Sequence, residues 1–219
     1  MDTKQRKKAL RRIKKLKDGD IRPSKLHRTL DIEITYDALD IPNVLKFTKE
    51  DQKLFLKSHD IMPSHPKESA VILESMLPNY PDHPRVLSNL ATSYQLSQDE
   101  EKAYEIAKRN FEKNKFYPFA RITYANSCLS RNEFEKIPEI FENKFVLSLV
   151  FPERQVFHVS EVISFCQIMV KYFEFLGNDK VVEINQGIIN ELNPRGPFDA
   201  LLSQIQLGMR LKTTKHLNI

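Results

Sequence analysis

The stretch YPDHPRVLSNLATSYQLSQDEEKAYEIAKRNF, residues 80–111, limits the possible folds more than any other part of the chain. Pro84 opens a run in which Val86, Leu87, Leu90, Ala91 and Tyr94 recur at helical spacing. QLSQDE forms a polar elbow, and Ala103, Ile106, Ala107 and Phe111 then repeat the spacing. Two short amphipathic helices joined by an elbow bury one face against each other and leave another apolar edge uncovered. That edge is satisfied only when a further pair stacks on it. A chain that uses this unit is therefore expected to repeat it.

Residues 116–144 repeat the idea. Phe119, Ile122, Ala125 and Cys128 fall on one helix, the elbow lies at 130–132, and Phe134, Ile137, Ile140 and Phe141 fall on a second. Pro138 is tolerated there only in a first turn, so that second helix is expected to start late. A third pair carries Val162, Ile163, Cys166, Met169, Val170 and Phe173, an LGND elbow, and then Val181, Val182, Ile184, Ile188, Ile189 and Leu192. Upstream, Thr48 and Asp51 form a helix-start signal ahead of Leu54, Phe55 and His59. Pro66 opens a helix with Ala70, Ile72, Leu73 and Leu77 inward. After the break NPRGP, Phe198, Leu201, Leu202, Ile205 and Leu211 predict a last helix that covers the final face. The apolar run FVLSLVF, 145–151, lies in an insertion and reads as core. IEITY alternates like a strand, but with no partner nearby, 31–47 reads as an extended segment lying on the helices. Only 5 Gly and no Trp in 219 residues also favour helices over tight-turned sheets.

Leu90, Ala91, Tyr94 and Ala103 follow an order of apolar, small, aromatic and small residues that resembles the tetratricopeptide repeat, a 34-residue helix–turn–helix unit. Thirty-four residues on come Tyr124, Ala125 and Cys128, with Ile137 replacing the last small residue. Met169, Val170, Phe173 and Val182 take these places in the third copy, with Gly177 at the elbow and Pro194 at the end of the unit. Cys128 to Phe173 is 45 residues, eleven more than the period. The resemblance implies an all-α fold over 48–219, in which antiparallel helix pairs stack as a short right-handed α-solenoid. It also implies a protein–protein interaction scaffold that receives a peptide or partner domain in its groove. Some members of the family grip a peptide's terminal carboxylate with Lys and Asn residues on the first helices of successive units. Arg85 and Asn89 match in one unit, but the next unit offers Phe119 and Thr123, so carboxylate-end recognition is unsupported. Arg85, Asn89, Tyr94 and Thr123 are the groove candidates.

Charge is concentrated at one end. Residues 1–29 carry twelve Lys or Arg and three Asp, a net of +9 in a chain whose total is +5, which leaves −4 for residues 30–219. This basic arm, taken as 1–30, supports an alternative reading: a nucleic-acid-associated protein docking through residues 4–28. Lys7, Lys8, Arg11, Arg12, Lys14 and Lys15 are its polyanion candidates. The arm has no aromatic residue for stacking on bases, so such binding would be non-specific and salt-dependent.

No phosphate-binding Gly loop, nucleophile elbow or metalloprotease helix is present, so neither enzyme activity nor a cofactor is expected. His59, Asp60, His65, Asp82 and His83 read as polar loop residues rather than metal ligands, and His158 beside Glu153 reads the same way. Cys128 and Cys166 sit on apolar stripes and read as buried thiols of a reducing compartment. No run approaches eighteen apolar residues, and the basic N-terminus lacks the apolar core of a secretory signal. A cytoplasmic location without a membrane span is the expectation.

Overall fold

The computed structural model describes residues 32–42 and 44–192. The basic arm, with its polyanion candidates, and the last helix expected from Phe198 to Leu211 lie outside those residues. Nine α-helices and two three-residue strands are present among the described residues, so the class is all-α. The helices fall into two compact units, one from Ile41 to Arg131 and one joining residues 32–40 to 132–192.

The first unit contains α1 (Lys49–Ile61), α2 (Pro66–Met76), α3 (Pro84–Leu96), α4 (Glu100–Lys113) and α5 (Pro118–Ser130). Each helix packs on the next, and α3 also packs on α5, which is the contact order of stacked helix hairpins. Pro66, Pro84 and Pro118 open α2, α3 and α5, where a missing N–H costs nothing. The Thr48 and Asp99 side chains accept from the amides of Asp51 and Lys102 to start α1 and α4.

Small side chains let these helices approach closely. Ala91, Ala103, Ala107, Ala120 and Ala125 are all buried. The Ser69 hydroxyl donates to the Ser58 carbonyl at 2.9 Å and lies 2.9 Å from the Ser93 hydroxyl, which links α1, α2 and α3 through buried atoms. The Asn110 amide donates to the Pro84 carbonyl (3.1 Å) and the Ser88 hydroxyl (2.8 Å), and Asn114 bridges Asn110 to the Asp82 carbonyl. These bonds fix the end of α4 against the start of α3.

The start of α1 differs from expectation. Its inward residues are Phe55, Ser58 and then Met62, whereas Leu54 and His59 are exposed. The helix is turned so that Phe55 reaches Phe47, which stacks at 4.3 Å on His83 and meets Tyr80 edge-on. His59 and Asp60 lie on the last turn of α1 rather than in a loop, and His83 is buried as the N-cap of α3.

The second unit contains β1 (Glu33–Thr35), a 3-10 turn (Phe134–Lys136), α6 (Ile137–Ile140), α7 (Leu147–Val150), β2 (Val156–His158), α8 (Val159–Phe175) and α9 (Asp179–Leu192). The expected lone extended segment is corrected here: β1 pairs in parallel with β2, placing Ile34 opposite Phe157. Pro138 sits in the first turn of α6, and that helix is a single turn. The segment 145–151 is core, with Leu147, Val150 and Phe151 buried. His158 is not a loop residue. Its ring and Glu161 form a capping box at the start of α8, and Arg154 holds the Glu161 carboxylate at 2.9 and 3.2 Å. Cys128 and Cys166 are both buried thiols and are not joined by a disulfide.

Three elbows share one device. Gln98, Asn132 and Gly177 take positive φ (65°, 60° and 65°), and each lies four residues after the repeat's aromatic position at Tyr94, Cys128 and Phe173. After Gln98 and Gly177 the closure is the same: the amides of Asp99 and Asn178 donate back to the Tyr94 and Phe173 carbonyls at 2.9 and 2.8 Å.

Candidate functional site

In the Ile41–Arg131 unit, α3 and α5 present matched faces. On α3, Arg85, Asn89, Thr92 and Leu96 are half-buried, and on α5 so are Phe119, Thr123, Asn126 and Ser130. Each residue of the second set lies thirty-four positions after its counterpart in the first. The spacing of three and four residues places each set on one side of its helix. Gln95 donates to the Ser130 hydroxyl at 3.2 Å and ties the two helices along this face.

The polar groups of this face are satisfied unequally. The hydroxyls of Thr92, Thr123 and Ser130 donate to the carbonyls of Ser88, Phe119 and Asn126, one turn back on their own helices. The side-chain amides of Asn89 and Asn126 make no hydrogen bond among the described residues. Each carries two N–H donors and a carbonyl acceptor, the complement of an extended peptide backbone. The face carries one charged residue, Arg85, and one aromatic residue, Phe119.

The structure gathers Arg85, Asn89 and Thr123 here and places Tyr94 elsewhere. Tyr94 is buried on the opposite side of α3, where its hydroxyl donates to Glu74 of α2. Its ring is the floor of a second cleft of about 510 Å³ between α2, α3 and α4, walled by Lys67, Val71, Glu74, Asp99 and Lys102. Burial, then the hydrogen bond and charge of Glu74, push the Tyr94 phenol well above its ordinary range. Lys102 lies 5.2 Å from the ring centroid and 3.3 Å from Asp99. Charges in this cleft largely compensate one another. Tyr94, a groove candidate from the sequence together with Arg85 and Asn89, therefore lies off this face. The half-turn from Asn89 to Tyr94 is the signal that separates them. Asn126 escaped the sequence reading, yet it lies thirty-four positions after Thr92 and could have been found by that count.

Nothing in the described residues assembles a reacting centre. Burial pushes the Cys166 thiol up to about 12, so it stays protonated and unreactive. Burial lowers the Lys171 ammonium to about 8, while Glu174 opposes the shift. No group of three or more His, Cys, Asp or Glu is placed to hold a metal ion among the described residues. No described helix is long and apolar enough to cross a membrane.

No family model matches the chain, and no curated protein matches it. A solved structure of a MamA mutant aligns over 87% of this chain and 98% of that one, with 17% identity and a TM-score of 0.42. A likeness that loose carries no argument about function.

Proposed function

We propose that the chain is a non-enzymatic protein-interaction module, and that the joined α3 and α5 faces receive an extended peptide segment of a partner. The observation that carries this reading is the pair of side-chain amides, Asn89 and Asn126, that have no hydrogen-bond partner among the described residues, in a row of half-buried positions repeated at thirty-four residues. Backbone amides and carbonyls of a bound strand would complete them, Arg85 would favour an acidic group nearby, and Phe119 would supply apolar contact. Recognition that leans on backbone atoms tolerates sequence variation in the ligand, so moderate affinity and weak salt dependence are expected.

The test uses peptides selected by display against the full chain. Asn89→Ala and Asn126→Ala should each weaken binding by roughly tenfold, the worth of about 1.4 kcal/mol in lost hydrogen bonding. Thermal stability should be unchanged, because neither amide makes a hydrogen bond among the described residues. Undiminished affinity in the double variant would remove this face as the docking surface.

A further inference from the structure

The second unit displays a patch that the α3/α5 reading does not use. Phe134 and Phe175 stack with ring centroids 4.0 Å apart and planes at 8°, yet Phe175 is 60% exposed and the adjoining Leu176 is 52% exposed. Large apolar side chains that stay this open beside one another mark an interaction surface. Acidic residues frame them: Glu135 follows Phe134, Glu174 precedes Phe175, Asp179 opens α9, and all three are exposed. The described part of this unit holds thirteen Asp or Glu against five Lys or Arg, a net of −8. Three of its cations are engaged already, with Lys136, Lys144 and Arg154 bonded to Glu133, Glu142 and Glu161. Lys171 is half-buried, so Lys180 is the one fully exposed cation among the unit's described residues. The patch therefore suits a ligand that carries both apolar side chains and positive charge.

The chain contains such a segment. We propose that residues 10–16 of its own basic arm dock on the Phe134–Phe175–Leu176 patch. Leu10, Ile13 and Leu16 recur at helical spacing among Arg11, Arg12, Lys14 and Lys15, which matches the apolar centre and acidic frame. Connectivity favours this occupant over an external one. The arm enters the described chain at Ile32, and β1 is pinned to β2 within the same unit as the patch. Fifteen residues separate Leu16 from Ile32 and can span about 50 Å when extended. α8, at seventeen residues, is about 26 Å long. The tether thus reaches the patch and holds the arm near it at an effective concentration of roughly millimolar. Docked in this way, the arm would shield its cations from other polyanions until displaced.

The experiment places a nitroxide on Gly19→Cys in the full, isotope-labelled chain, with Cys128 and Cys166 protected by burial. Docking predicts selective loss of amide signal at Phe134, Phe175, Leu176 and Asp179 at low salt. The signals should return near about 0.5 M salt, where screening is strong. They should also return in the Leu10→Ser/Ile13→Ser/Leu16→Ser variant, which leaves every charge and every described residue intact. Uniform or absent broadening, broadening unchanged by the three serines, or broadening lost on dilution would overturn the proposal; loss on dilution would assign the patch to a second copy's arm.

Discussion

His83 shows how a single side chain can be committed to one protonation state. It caps α3 by accepting from the Arg85 amide at 3.2 Å, and it stacks on Phe47 at 4.3 Å. Burial first, then the Arg85 cation, lower its pKa from 6.5 to about 4, while a hydrogen bond to the Leu45 backbone opposes them. The unfolded chain binds this proton more readily than the folded one. Above about 6.5 neither state carries it, and stability is lost as pH falls from about 6.5 towards about 4. Melting temperature followed over that window should drop less steeply for His83→Asn, which keeps an N-cap acceptor and removes the titration. Gly177 gives a second test at this scale. Its φ is +65°, and an added Cβ would meet nothing within 4 Å, so Gly177→Ala should cost about 1 kcal/mol from the backbone alone, read by denaturant unfolding. His83 was hidden in the sequence because histidine is an unusual cap. Gly177 was legible because an LGND elbow calls for a left-handed residue.

At the scale of elements, the hairpins depend on buried polar seams as much as on apolar stripes. Asn110 is fully buried and bonds to Pro84, Ser88 and Asn114. Asn110→Ala leaves the Asn114 amide and the Pro84 carbonyl short of a partner and should cost about 2–3 kcal/mol by chemical denaturation. The helices of α2 through α5 and the α8–α9 pair were readable from periodicity, since their stripes run for eleven residues or more. The β1–β2 pairing was not. Each strand has three residues, and they lie more than 120 positions apart, so neither alternation nor proximity could reveal the ladder. Pro138 pointed to a late helix start, and the result is one helical turn after a 3-10 turn. The insertion that stretches the third spacing to 45 residues holds α7 and β2, which supply core and a strand partner.

At the scale of the molecule, the thirty-four-residue interval is visible in the sequence and carries the account. It sets the Gln98 and Asn132 elbows, and it pairs Arg85, Asn89, Thr92 and Leu96 with Phe119, Thr123, Asn126 and Ser130. What the interval could not reveal was which polar groups stay unsatisfied, because that depends on hydroxyls turning back onto their own helices. Hydrogen–deuterium exchange of the full chain, with and without a display-selected peptide, tests whether α3 and α5 form the docking face. Docking there slows exchange in residues 84–96 and 118–130. Slowing confined to residues 67–74 and 98–102 around the Tyr94 cleft, with those two helices unchanged, would contradict it.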